Sequence, residues 1–109
     1  MSNLVVGAGI GGLSLAALLA NAGEEVTVLE KNSLPGGRAR VYRENGYSFD
    51  MGPSWYLMPD IYESFFRELG FEINDCYELV RLDPSYRIFF KNGEIMDVSA
   101  NIEENYKLF

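Results

Sequence analysis

Residues 4–40 read "LVVGAGIGGLSLAALLANAGEEVTVLEKNSLPGGRAR", and the order of residue types in this stretch decides the fold. Asn3–Val6 is a short β-rich run that leads directly into glycines. Gly11–Ala22 follows, rich in Leu and Ala, both strong helix formers, and Gly23 is placed as a C-terminal stop. Glu25–Glu30 alternates and is rich in Val and Thr, as a second strand would be. Strand, helix and strand within about 30 residues make a βαβ unit, whose strands run parallel with a right-handed crossover.

Gly7-Ala8-Gly9-Ile10-Gly11-Gly12 satisfies G-x-G-x-x-G, and its placement after a strand and before a helix is the context that gives the pattern meaning. Gly7 permits the tight turn out of the strand. Gly9 lets a pyrophosphate approach the backbone, and Gly12 lets the helix pack closely on the strand. The free N–H groups and dipole of a helix N-terminus then favour an anion. Glu30 lies 18 residues past Gly12, where an acid accepts hydrogen bonds from adenosine ribose hydroxyls and disfavours a 2′-phosphate. NADP is therefore disfavoured, whereas FAD and NAD both remain open at this point. A plain βαβ unit with a structural glycine turn and a solvated Glu30 is the alternative reading.

Residues 31–37 form a loop. "RARVYRENGYSFDMGP" reads as two extended segments joined by Asn45-Gly46, a tight-turn dipeptide. "PDIYESFFREL" with Gly70 behind it is a second helix, and Ile61, Phe65, Phe66 and Leu69 share one apolar face. From Tyr77 the pattern changes to short strands, "YELVRL", "SYRIFF" and "EIMDV", which read as the opening of a separate antiparallel sheet. Asn101 and Glu104 resemble a capping box for a last helix. The short length of that helix suggests the N-terminal piece of something longer. The expected architecture is α/β: a Rossmann-like nucleotide-binding part over residues 1–74, then the beginning of a second domain over residues 75–109.

Bulk composition narrows the function. The 109 residues are 48% hydrophobic and 23% charged, ordinary for a globular domain. Nine basic against sixteen acidic residues give a formal charge of −7, which argues against nucleic-acid binding. Arg38, Arg40 and Arg43 form the only local basic cluster. The apolar run Leu13–Ala22 is about half the length of a membrane span and lacks a basic leader, so it reads as a buried helix. A single cysteine, Cys76, excludes an internal disulfide and suits a reducing cytoplasm. With no histidine, histidine acid–base chemistry is excluded within the chain, no metal site is expected, and a cofactor is the natural source of reactivity.

The segment Pro35-Gly36-Gly37-Arg38 brings a second glycine pair to the same anion, with a cation beside it. Together with "GYSFDMGPSWYLMPDIYESFF" and "ELVRLDPSYRIFFKNGE", it makes nearly the whole chain resemble the N-terminus of the FAD-dependent phytoene desaturases, the bacterial-type carotenoid desaturases. The fingerprint with Glu30 and Gly36-Gly37-Arg38 is shared by a broad flavoprotein group that includes amine oxidases; "FDMGPSWYLMPD" is the narrower signal.

The resemblance implies FAD as cofactor. It would be contacted at the pyrophosphate by Gly7, Gly9, Ile10, Gly11 and Gly12, and at the ribose by Glu30 with Lys31 beside it. Gly37 and Arg38 would lie along the pyrophosphate and ribityl region, and the segment Met51, Gly52, Pro53 and Ser54 near the flavin. Asp50 stabilises its turn rather than acting as an acid or base, and no catalytic residue is assigned. Trp55 and Tyr56 read as core packing before they read as a substrate tunnel. The implied reaction is dehydrogenation of a hydrophobic polyene such as phytoene, in a cytoplasmic protein peripheral to the membrane; some members of the family isomerise instead. A flavin amine oxidase, or an inactive dinucleotide-binding piece, are the alternatives.

Overall fold

The computed structural model describes residues 2–108. The chain divides after Cys76 into two compact units. In the first, β1 (Ser2–Val6), α1 (Ile10–Asn21) and β2 (Glu25–Leu29) form the βαβ unit. The strands pair in parallel, with Ser2 opposite Glu25 and Val6 opposite Leu29. Alternation along β1 turns Val5 inward, where it is buried, while Leu4 and Val6 on the other face are 60% and 80% exposed. One face of this small sheet is therefore packed and the other is open.

Both main helices of this unit end in the same way. Gly23 and Gly70 adopt φ of +83° and +84°, which a residue with a Cβ adopts only with strain. Gly23 N–H donates to the Ala20 carbonyl and Glu24 N–H to that of Leu19. At the end of α2 (Pro59–Glu68), Gly70 N–H donates to Arg67 and Phe71 N–H to Phe66. These are two Schellman closures, and each turns the chain sharply out of its helix. The Asn21 side chain donates to the Glu68 carbonyl at 3.2 Å, tying the two helix ends together. A single turn, α3 (Ile73–Cys76), follows and buries Ile73.

Between these elements, β3 (Val41–Glu44) and β4 (Tyr47–Asp50) form an antiparallel hairpin, Val41 opposite Asp50 and Glu44 opposite Tyr47. Asn45 and Gly46 have φ of +51° and +83°, both left-handed, as a two-residue hairpin loop of matching twist requires.

The second unit holds β5 (Tyr86–Phe89) and β6 (Ile95–Val98), paired antiparallel, with Arg87 opposite Asp97 and the two side chains ion-paired. α4 (Ile102–Leu108) follows. Three expectations are corrected here. Tyr77–Leu82 is not a strand: among the described residues no strand pairs with it. Asn101 does cap α4, but its side chain takes the Glu103 N–H at 3.0 Å rather than that of Glu104. Phe90 lies just beyond β5, where its N–H donates to the Glu94 carbonyl at the turn. Among the described residues no helix is long and apolar enough to cross a membrane.

Candidate functional site

The loop after β1 is shaped by close backbone approaches. Gly7 has φ +101° and donates its N–H to the Leu29 carbonyl at 2.7 Å, so the turn is pinned to β2. A Cβ on Gly12 would stand 2.0 Å from the Gly7 carbonyl oxygen; α1 reaches the loop only because that atom is missing. Gly9 and Gly11 differ, since a Cβ on either would meet nothing within 4 Å. The space beside them is open, as a ligand's approach requires. No side chain caps α1. Its first intrahelical bond runs from Leu13 N–H to Gly9 O, so the N–H groups of Ile10, Gly11 and Gly12 are left for an external acceptor. Exposed N–H groups at the positive end of a helix suit an anion.

The second glycine loop is docked onto the first. Gly36 N–H donates to Ala8 O at 2.7 Å, and Gly9 and Gly36 form an isolated parallel bridge. A Cβ on Gly37, which has φ +58°, would lie 3.1 Å from Gly9 Cα. Gly37–Ala39 then makes one 3-10 turn, and the Arg40 side chain donates to the Gly37 carbonyl at 3.0 Å. The chain returns to this place after the hairpin: Met51 N–H donates to Arg40 O at 3.0 Å, and a Cβ on Gly52 would stand 2.0 Å from Arg38 O.

Three segments distant in sequence thus enclose one cleft of about 730 Å³, lined by Gly9, Ile10, Gly11, Gly36, Gly37, Arg38, Ala39, Met51, Gly52 and Pro53. Arg38 is exposed at its edge, where a guanidinium can pair with phosphate oxygens. The size is that of a site for a cofactor-sized ligand.

Glu30 lies at the end of β2, half-buried. Its Oε2 accepts from Ala8 N–H at 2.7 Å, and its Oε1 accepts from the Asn32 backbone N–H at 2.8 Å and Asn32 Nδ2 at 2.7 Å. The Asn32 backbone N–H, then that of Ala8, hold the carboxyl below its ordinary range against a smaller opposing effect of burial. The group is an ionised acceptor beside the glycine turn.

Of the residues singled out in the sequence, Gly9, Ile10, Gly11, Gly37, Arg38, Gly52 and Pro53 line the cleft, while Gly7 and Gly12 build the turn behind it. Glu30 is bonded to Ala8 beside the turn and is outside the lining, and Lys31 and Ser54 are exposed and do not line it. Gly36, from the second glycine pair, and Met51, from the segment that leads into Gly52, also line the cleft, and Ala39 joins them without having been singled out. Tyr56 stacks on Tyr62 with ring centroids 4.9 Å apart, but Trp55 and Tyr56 are both exposed, so neither is core. Phe65 and Phe66, with Ile10 and Met58, line an apolar hollow of about 250 Å³ between α1 and α2.

A βαβ unit whose glycine turn opens on a helix N-terminus, with an acid closing the second strand, defines a dinucleotide-binding domain. The model of the NAD(P)-binding Rossmann-like domain family matches residues 5–69, and the chain belongs to that family. Within it, the chain is 56% identical to a carotenoid 3,4-desaturase of Haloarcula japonica, over 96% of this chain and 21% of that protein. It is 42% identical to a phytoene desaturase of Phycomyces blakesleeanus, over 91% of this chain and 17% of the other. A zeta-carotene-forming phytoene desaturase of Myxococcus xanthus is 46% identical over 82% of this chain and 17% of its own length. The chain therefore spans about a fifth of the curated relatives it matches. In solved structures it resembles the PF1083 protein of Pyrococcus furiosus, with a TM-score of 0.66 and 30% identity, over 100% of this chain and 26% of that one.

Proposed function

We propose that this chain is the FAD-binding start of a flavin-dependent oxidoreductase that desaturates a carotenoid precursor such as phytoene. The observation that carries the cofactor reading is the docking of Gly36-Gly37-Arg38 onto the Gly9 turn, with Gly52 closing the same cleft. A single glycine turn suffices for one pyrophosphate contact; the second loop and the returning Met51–Pro53 segment lengthen the cleft beyond it, as a cofactor continuing through a ribityl chain into a ring system needs. The substrate reading is supported by the relatives, whose names are those of carotenoid and phytoene desaturases.

In this reading the N–H groups of Ile10, Gly11 and Gly12 receive the pyrophosphate, and Arg38 adds a cation to the same anion. Glu30 accepts from the adenosine ribose, and its charge repels a 2′-phosphate. Gly52 and Pro53, which line the cleft, lie against the flavin part in this reading. Bound flavin supplies the oxidant that accepts hydrogen from unactivated C–H bonds. The chain's own part is to bind and orient the cofactor; no residue of it is assigned a proton-transfer role.

The test is to supply the natural full-length protein with phytoene dispersed in lipid. A coloured, more conjugated polyene is the expected product. Release of peroxide from an amine without coloured product would replace this reading with that of an amine oxidase.

A further inference from the structure

Glu30 is more fully engaged than a ribose-binding acid needs to be. A carboxylate oxygen has two acceptor positions. Asn32 fills both positions of Oε1 with its backbone N–H, at 2.8 Å, and its side-chain Nδ2, at 2.7 Å. Oε2 receives the Ala8 N–H at 2.7 Å; the Lys31 backbone N–H adds only the weakest of the favourable pulls on the carboxyl, which leaves Oε2 one position. The vicinal diol of an adenosine ribose offers two hydroxyl donors side by side. With Asn32 in place, the acid has room for one of them.

Building on the dinucleotide reading above, we propose that Asn32 is a specificity-determining residue of this site, restricting Glu30 to a single ribose hydroxyl received through Oε2. The ligand class is an adenosine diphosphate moiety with a free ribose diol. The local chain explains why asparagine serves here. Asn32 sits two residues past Glu30, and its short amide reaches the oxygen that its own N–H already holds. Aspartate would set a second negative charge against Glu30, and alanine would leave one position of Oε1 open. Asn32 acts through Glu30 and is a positioning residue, not a catalytic one.

The experiment titrates the apo form of the natural full-length protein with ADP, 2′-deoxy-ADP and 3′-deoxy-ADP by calorimetry. The expected result is that one deoxy analogue binds about tenfold more weakly than ADP, the scale of one hydrogen bond to a charged acceptor. The other should bind within about twofold of ADP, since that hydroxyl makes no bond to Glu30. In Asn32→Ala, both analogues should bind more weakly than ADP, because Oε1 regains an acceptor position. Equal weakening of both analogues in the unsubstituted protein, or weakening of neither, overturns the proposal. So does an Asn32→Ala variant that keeps the single-hydroxyl preference. Failure to bind ADP at all overturns the dinucleotide reading and this assignment with it, and is distinguishable from binding without discrimination.

Discussion

Gly52 meets the Arg38 carbonyl so closely that a Cβ on Gly52 would stand 2.0 Å from the oxygen. This approach brings together residues on either side of the β3–β4 hairpin, and both line the cleft. No flexible side chain is available to yield there, because the opposing atom is backbone. Gly52→Ala should therefore force the two segments apart, at a cost of about 1–3 kcal/mol, the range for overpacking. Thermal unfolding of the natural protein, paired with cofactor titration, checks it: both stability and affinity should fall.

Gly9 and Gly12 should respond in opposite ways although they belong to one motif. Gly12→Ala places its Cβ 2.0 Å from the Gly7 carbonyl oxygen and should destabilise the fold by about 1–3 kcal/mol. Gly9→Val sets its Cβ where nothing of the protein lies within 4 Å, and Gly9 has an ordinary φ of −74°. Its stability should change by less than about 1 kcal/mol, the scale of a helix-cap substitution. Its dinucleotide affinity should drop on the order of tenfold or more, as for a lost bond to a charged group. A Gly9→Val protein with unchanged affinity would contradict the site.

Acid should reveal Glu30. Its carboxyl is held below the ordinary value near 4.5, chiefly by the Asn32 and Ala8 N–H groups. A depressed folded-state pKa contributes stability above the unfolded value and loses it as pH falls through the lower folded one. Glu30→Gln should therefore be less stable than the parent at neutral pH, with the difference closing as pH falls below about 4.5. The group is accessible to solvent, so the difference is small. Unfolding curves across that range decide it; a gap unchanged in acid would contradict the assignment.

The hairpin turn offers a test of the fold apart from the cofactor. Asn45 sits at φ +51°, a left-handed conformation that a β-branched residue resists. Asn45→Val should cost about 1–2 kcal/mol, whereas Asn45→Gly should be nearly neutral, both read by chemical unfolding.

Much of this architecture was legible because the signals are local. The glycine turn, the helix stops at Gly23 and Gly70 and the Asn45-Gly46 turn all depend on backbone conformations that the residue types themselves favour. Tyr77–Leu82 misled because alternation describes a surface, whereas a strand also needs a hydrogen-bonding partner, which is not a local property. The bonds from Ala8 and Asn32 to Glu30 were illegible for a related reason. The Ala8 bond depends on how the end of β2 meets the loop after β1, 22 residues away in sequence, and the Asn32 bonds on a local turn just past Glu30; spacing encodes neither. Lys31 follows the acid in sequence, yet the chain turns at that point and leaves Lys31 outside the cleft lining.

The most direct test of the central claim is the identity of the cofactor. The natural full-length protein, purified without added nucleotide, should be denatured and its released small molecules examined by absorption and mass. Release of FAD in near-stoichiometric amount is the predicted result. Release of a nicotinamide dinucleotide in its place would contradict the flavin reading, and with it the desaturase mechanism proposed for this chain.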